Sequence, residues 1–282
     1  MPVGDVGNLG YENATWGSVT YGYQSSSGLL GKKMPFPDKY RTVTHQVTLR
    51  AGLRVIPILD VQLTMPFYSY RNRARDLLDL DLFGQGDAQL FADFFPWRNL
   101  EDPPGGDLAG GMFSLRGLGF RGGFKLPTGR AERDLDPSRG PSILMQLGTG
   151  TLDFMTGVQF AGHLDGFTIF FRADMQLPLH TNSHGFRPGE TFAFATGLGY
   201  TFEHIVTPAL TISTLHLLRD TLDGKRHPDT GGNFVFVTPS VAVRVIHALT
   251  LHASVRFTPA KDSNNPSTGE IYSIGASWFI EF

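Results

Sequence analysis

The chain has 282 residues, a formal net charge of −2, 34 glycines, 23 phenylalanines and no cysteine. The near-neutral charge argues against a nucleic-acid-binding protein, and the lack of cysteine excludes disulfides and Cys-based zinc sites. No stretch approaches the roughly 18 to 20 consecutive apolar residues of a membrane helix, and the glycine- and aromatic-rich composition points away from helix altogether.

Apolar and polar residues alternate along most of the chain, as in strands with one buried face. The alternation is clearest near the C-terminus, where every second residue from Leu249 to Phe257 and from Tyr272 to Phe282 is apolar. The pattern predicts about twelve strands, near residues 16–24, 42–54, 58–70, 86–97, 111–126, 150–163, 167–180, 190–203, 208–219, 232–246, 249–259 and 269–282.

Long and short connections alternate between these strands. The long, polar connections are 25–41, 71–85, 127–149, 181–189, 220–231 and 260–268, and the others are short apart from 98–110. An even strand number with long loops at one end and short turns at the other is typical of an outer-membrane barrel. We therefore predict an all-β fold, a single antiparallel transmembrane β-barrel of about 12 strands over residues 16–282. A short periplasmic N-terminal lead is predicted over residues 1–15.

The polar face of the strands carries arginine opposite aspartate, together with many small residues, which predicts a wet interior and an apolar face toward lipid. Aromatic residues near the strand ends match the girdles of such barrels. The alternative is a soluble β-sandwich or lipocalin-like barrel, in which the apolar face points inward.

Several motifs resemble a known family. Residues 123–129 read GFKLPTG and are followed by Asp136-Pro137, by QLGTG at 146–150 and by Asp153-Phe154, with Gly86-Asp87 earlier in the chain. This set is similar to the outer-membrane transporter family named for the MetA pathway of phenol degradation. The resemblance implies a channel of the Gram-negative outer membrane that passes small hydrophobic or aromatic molecules.

Charged and polar side chains on the predicted inner face are the candidate selectivity residues. They are Arg50, Asp60, Gln62, Asp93, Arg116, Lys125, Asp153, Gln159, Arg172, Asp174, Arg244, His252 and Arg256. Counting register outward from each turn places Arg50 near Gln62, Gln62 near Asp93, Asp93 near Arg116 and Gln159 near Arg172, with Arg256 on a comparable row. Lys125 and Asp153, both on the polar face near the loop end of neighbouring strands, are expected to pair across the wall. The excess of arginine predicts either a constriction that favours anionic or aromatic solutes, or a salt-bridge network that fills the lumen.

The predicted function is a passive channel for small molecules. Two alternatives are a closed structural or adhesive barrel with partner-binding loops, and an outer-membrane lipid-modifying enzyme. His252 and Ser254 have the His/Ser spacing of such enzymes but lie on the predicted lumen face without a third catalytic residue, so no enzymatic activity is expected. No cofactor or metal is expected, because His180, His184 and Glu190 are interpreted as polar loop residues. The aspartates at 76, 79, 81 and 87 are interpreted as a solvated acidic loop.

The expected partners are outer-membrane lipid and lipopolysaccharide, the barrel assembly machinery and a small-molecule solute, and no nucleic acid. The C-terminal strand ends in Phe282 after alternating apolar residues, which resembles the signal recognised by the assembly machinery. Phe282 is therefore the predicted assembly signal.

Overall fold

The computed structural model of the protein describes residues 15–29, 39–56, 58–74, 77–96, 118–129, 147–164, 166–203, 205–228, 230–246, 249–263 and 267–281. Within these ranges, no helix is long and apolar enough to cross a membrane. The predicted lead over 1–15 lies outside the described residues, apart from Thr15, which begins the first strand.

The described residues form sixteen strands. They are β1 (Thr15–Leu29), β2 (Lys39–Ile56), β3 (Leu59–Ala74), β4 (Leu77–Gln85), β5 (Ala88–Phe94), β6 (Gly119–Leu126), β7 (Asp153–Leu164), β8 (Phe167–Pro178), β9 (Phe186–Arg187), β10 (Thr191–Tyr200), β11 (Val206–Leu217), β12 (Thr221–Leu222), β13 (Lys225–Arg226), β14 (Gly232–Ile246), β15 (Leu249–Ser263) and β16 (Ser267–Glu281).

Thirteen of the strands form one antiparallel sheet, which closes on itself because β2 pairs with both β1 and β3. Strands β4 and β5 both pair with β3 and are two parts of one interrupted strand. The result is a closed barrel of twelve strands, which confirms the predicted fold class. The rim with the short β2–β3, β7–β8, β10–β11 and β14–β15 connections is called the turn end below, and the opposite rim is called the loop end.

Two of the predicted long loops are largely strand. Strand β3 continues to Ala74 and pairs with β4 across most of residues 71–85. Likewise, β15 extends to Ser263 and β16 begins at Ser267, within the predicted loop 260–268. Beyond the hydrocarbon layer both faces of a strand meet water, so a strand there does not need the apolar alternation on which the prediction depended.

Side chains alternate between the two faces of the barrel wall along the regular parts of the strands. On β8, Phe167 and Ile169 are each 46% exposed, whereas Thr168 between them is buried. On β15, Leu251 and Phe257 are exposed on the outer face. Large apolar residues therefore cover the outside and polar residues line the inside, as a multi-pass outer-membrane barrel requires.

The orientation of the faces is tested by two adjacent substitutions in β15. Val255→Arg places a charge on the lipid-facing side and should cost about 2 to 4 kcal/mol near the bilayer midplane. Ser254→Arg points into the lumen beside Ser240 and Ser273 and should fold normally. The measurement is the folded fraction in lipid vesicles across a urea titration. Equal destabilisation by the two variants would contradict the assignment of faces.

Candidate channel lumen

A buried lysine lies between two buried carboxylates at the loop end of the barrel. The Nζ of Lys125 is 3.2 Å from Oδ2 of Asp87 and 2.7 Å from Oδ2 of Asp153. Lys125 is 5% exposed and Asp153 is fully buried. The Lys125–Asp153 pair expected from the sequence is therefore present. We call Asp87, Lys125, Thr149, Thr151 and Asp153 the acid–lysine cluster.

Hydrogen bonds satisfy both carboxylates of this cluster. Asp87 accepts from the backbone N–H of Gly129 at 3.0 Å and from the backbone N–H and hydroxyl of Thr149 at 2.8 and 3.0 Å. Asp153 accepts from the hydroxyl of Thr151 and from Nε2 of Gln176, each at 2.6 Å. A carboxylate buried without hydrogen-bond partners lowers the stability of the folded protein. These donors therefore offset the cost of burying Asp87 and Asp153. The interpretation of Asp87 as part of a solvated acidic loop is wrong.

Asp87 reaches the cluster because the wall strand is interrupted beside it. Pro66, on the facing strand β3, has no N–H for the ladder, and the carbonyl of Pro66 accepts a 2.8 Å hydrogen bond from the N–H of Gly86. A Cβ on Gly86 would lie 2.5 Å from the ring of Tyr68, so a side chain does not fit there. The motif Gly86-Asp87 thus marks the break between β4 and β5.

Backbone contact between two further glycines completes this region. A Cβ on Gly148 would lie 2.6 Å from the backbone of Gly129 and 2.6 Å from Oδ1 of Asp87. The motifs around Gly86-Asp87, Gly129, Gly148 and Asp153 are far apart in the sequence but meet in this one place. Their shared location gives a structural reason for the residues that carry the family resemblance.

A second network lies in the lumen, nearer the turn end. Arg121 donates from Nε and Nη2 to the two carboxylate oxygens of Asp93, at 2.6 and 3.0 Å. Asp93 also accepts from Gln62 and, at 3.4 Å, from Gln159. The guanidinium of Arg121 lies 4.7 Å from the ring centre of Phe91. Asp93 is 3% exposed, and side chains from three neighbouring strands hold it.

The structure corrects three of the predicted register pairs. Asp93 lies opposite Asp60, and Gln62 reaches it diagonally through the hydrogen bond between their side chains. Arg50 lies opposite Thr64, and Gln62 lies opposite Gly52. The centre of the β2–β3 hairpin lies one residue later in the sequence than predicted, so every pair across this hairpin shifts by two residues. Asp93 lies opposite Arg121 instead of Arg116, because the long connection before β6 does not fix the register. Arg116 and the predicted assembly signal Phe282 lie outside the described residues.

Other predicted lumen residues form pairs along the wall. Gln159 lies opposite Arg172, as predicted. Arg172 pairs with Asp174 on its own strand. Asp60 pairs at 3.1 Å with Arg54, which the sequence analysis missed although it shares a face with Arg50. Arg121 was missed in the same way, although it shares a face with Lys125.

The remaining predicted residues lie on the opposite wall. The guanidinium of Arg256 stands 5.0 Å from the ring centre of Phe236. The ring of His252 packs so closely on Gly275 that a Cβ there would lie 2.2 Å from Nε2. Arg244 is exposed near the turn end of β14. These residues share the inner face but not one cluster.

Two loops at the loop end are joined by a small sheet of β9, β12 and β13. The Asp220 carboxylate accepts a 2.7 Å hydrogen bond from the N–H of Gly189, which ties the loops together. Burial raises the pKa of Asp220, while the Gly189 bond and nearby His227 act in the opposite direction. Because the folded carboxyl holds its proton more tightly than the unfolded one, this group reduces stability as the pH rises between its unfolded and folded pKa values.

One of the three residues considered for a metal site at this end forms an ion pair. Glu190 pairs with Arg187 at 3.2 Å. Across the described ranges, no group of three His, Cys, Asp or Glu side chains is arranged to hold a metal ion.

Removing the lysine should unbalance the acid–lysine cluster. Lys125→Met leaves two carboxylates buried side by side and should lower the free energy of unfolding by about 3 to 5 kcal/mol. Lys225→Met removes the same charge from an exposed position in β13 and should change the free energy of unfolding by less than about 0.5 kcal/mol. Urea unfolding of the two variants in lipid vesicles measures both changes in the free energy of unfolding. Similar effects of the two substitutions would show that the buried ion pairs of Lys125 stabilise the protein no more than an exposed lysine does.

The glycine contact gives a second stability test. Gly148→Ala forces a methyl group against backbone and should cost about 1 to 3 kcal/mol. Gly122→Ala is the matched control, because nothing lies within 4 Å of the Cβ it would add. Heat-modifiable gel mobility reports the folded fraction of each variant. A Gly148→Ala protein as stable as the control would contradict the close packing.

Comparison with known proteins shows similarity at the level of fold. No protein-family model and no curated protein sequence matches the chain. An outer-membrane channel from Pseudomonas putida F1 superposes with a TM-score of 0.72 at 15% identity, over 98% of this chain and 100% of that one. The NanC porin superposes with a TM-score of 0.49 at 9% identity, over 93% and 98%. The CymD monoaromatic hydrocarbon channel gives 0.44 at 7% identity, over 96% and 89%. The chain thus has the fold of a twelve-stranded outer-membrane barrel.

Proposed function

We propose that this protein is a passive outer-membrane channel for small molecules. The observation that carries the proposal is the inner face, where charged side chains line a closed, membrane-spanning wall and Arg172 is 43% exposed. A polar interior of this kind is typical of water-filled barrels. Twelve strands at the usual tilt enclose a backbone radius of roughly 12 Å, which leaves a lumen on the order of 10 Å wide after side chains.

The solutes that we propose are small and include aromatic compounds. The motifs that meet at Gly86-Asp87, Gly129 and Gly148 support this choice, because they resemble the transporter family of phenol degradation. Arginine side chains in the lumen support it as well, because a guanidinium stacks on aromatic rings as well as binding anions.

A filled, structural barrel is the second candidate. The near-complete burial of Asp93 under Arg121, Gln62 and Gln159 favours it, because these side chains occupy part of the lumen. Catalysis has less support. The residues opposite His252 and Ser254 on the neighbouring strands are Ala242, Gly275, Ser240 and Ser273, which are small and uncharged.

Single-channel recording in planar bilayers tests the channel. The purified, folded protein should give discrete current steps, and Ser254→Arg should reduce their size by narrowing the lumen. Leu251→Ala, on the lipid-facing side of the same strand, should leave them unchanged. Folded protein that gives no current would overturn the channel and favour the filled barrel.

A further inference from the structure

The lipid-facing side of β2 and β3 changes from apolar to polar at one level near the loop end. On β2, Leu53, Leu49 and Val47 are exposed on the outer face. The next outer residue toward the loop end, His45, is exposed as well, and Ser69 on β3 lies opposite it. The span from Leu53 to His45 matches the roughly 9 to 11 residues that a tilted strand needs to cross the hydrocarbon. Both strands therefore leave the hydrocarbon layer at this level.

Aromatic rings border this level on the neighbouring strands. Tyr23 on β1 lies opposite His45, and the two rings meet at a steep angle with their centres 5.3 Å apart. The hydroxyl oxygen of Tyr21 is 2.8 Å from Nδ1 of His45. Phe83, which lies opposite Ser69 on β4, is 79% exposed. Such a belt of rings is typical of the interface between hydrocarbon and headgroups.

Arginines follow beyond these rings on the same face of the wall. Arg71, at the next outer position of β3 after Ser69, is exposed. At the outer position beyond that, the ladder places Arg41 on β2 directly opposite Arg73 on β3. We call Arg41, Arg71 and Arg73 the outer arginine group. Asp81 on β4 lies opposite Arg71, but a guanidinium has five N–H donors and can bind a second anion beside a carboxylate.

The outer arginine group lies at the height of lipid headgroups. Long loops mark the extracellular end of an outer-membrane barrel, so the loop end faces the leaflet that is made of lipopolysaccharide. The phosphates of its lipid A lie directly above the acyl chains, where the outer arginine group begins. Arginine binds phosphate through paired, charge-assisted hydrogen bonds, and basic side chains beside a membrane attract anionic headgroups.

We propose that the outer surface of β2 and β3 at the loop end is a binding site for the lipid A phosphates of lipopolysaccharide. Arg71 is the main phosphate donor, and the register positions of Arg41 and Arg73 suit the second phosphate. When Nδ1 of His45 accepts from Tyr21, the proton of the imidazole is on Nε2, which is then a further donor. The acyl chains pack along the apolar outer residues of β2. Because the site lies on the outside of the wall, its occupancy does not depend on conduction through the lumen.

Binding of lipid A to the whole chain, refolded in detergent micelles free of lipopolysaccharide, tests the site. Native mass spectrometry measures the fraction of protein that retains lipid A with two phosphates. Arg71→Gln should weaken this binding about tenfold, as expected for losing a hydrogen bond to a charged group. Lys225→Gln removes the same charge from an exposed position in β13 and should leave the affinity within about twofold.

Two further lipids test which headgroup the site recognises. Lipid A without its phosphates should bind the parent and Arg71→Gln equally weakly, because the charged partner of the arginine is gone. Phosphatidylglycerol has a single phosphate and should bind more weakly than lipid A with two. Equal retention of lipid A with and without its phosphates, or equal losses in the Arg71 and Lys225 variants, would overturn the site. Phosphatidylglycerol retained as strongly as lipid A would overturn lipopolysaccharide as the occupant.

Arg71→Lys provides a second variant if Arg71→Gln folds poorly. It keeps the charge, loses the paired geometry and should give a lipid A affinity between those of the parent and the glutamine variant. Heat-modifiable gel mobility establishes that each variant is folded before its binding is measured. A folded Arg71→Lys protein that binds lipid A as tightly as the parent would show that paired hydrogen bonds from Arg71 do not hold the phosphate.

Discussion

A bilayer offers the peptide backbone no hydrogen-bond partners, and this constraint determines most of the structure. Every strand that crosses the hydrocarbon must pair on both sides, which only a closed barrel allows. Here the ladder closes through β1 with β16 and through β2 with β3. Closure sends every second side chain into a confined interior, where charged groups from different strands meet. The ion pairs of the lumen are thus a consequence of the backbone requirement.

The two charged networks differ in what holds them. Backbone N–H groups and tightly packed glycines hold the carboxylate of Asp87 in the acid–lysine cluster. Asp153 is held by the side chains of Thr151, Gln176 and Lys125. The network around Asp93 is built from side chains alone, and Arg172 beside it faces the lumen. A buried cluster of this kind suits a structural role, whereas the guanidinium of Arg172 remains partly exposed inside the barrel beside Asp174.

The sequence was sufficient to predict those parts of the fold that depend on alternation and on tight turns. Gln159 lies opposite Arg172 because a short turn between β7 and β8 leaves little freedom in register. The predicted partner of Arg50 is two residues from its true partner, because an error of one residue in the centre of a hairpin shifts every pair by two residues. Arg121 was missed because the connection that precedes β6 is long. Burial of Asp87 depends on glycines that meet only after folding, which no local pattern reveals.

The wall of the barrel has unequal height. Strands β2 and β3 have 18 and 16 residues, whereas a tilted strand needs roughly 9 to 11 to cross the hydrocarbon, and β6 has only 8. These strands begin or end together at the turn end, so β2 and β3 extend further toward the loop end than β6 does. Strands β1, β14, β15 and β16 have 15 residues each, so the longer strands form one continuous part of the wall from β14 through β1 to β3. The turn that carries Gly129 follows directly after the short strand β6, so among the described residues the strands supply less of the wall there.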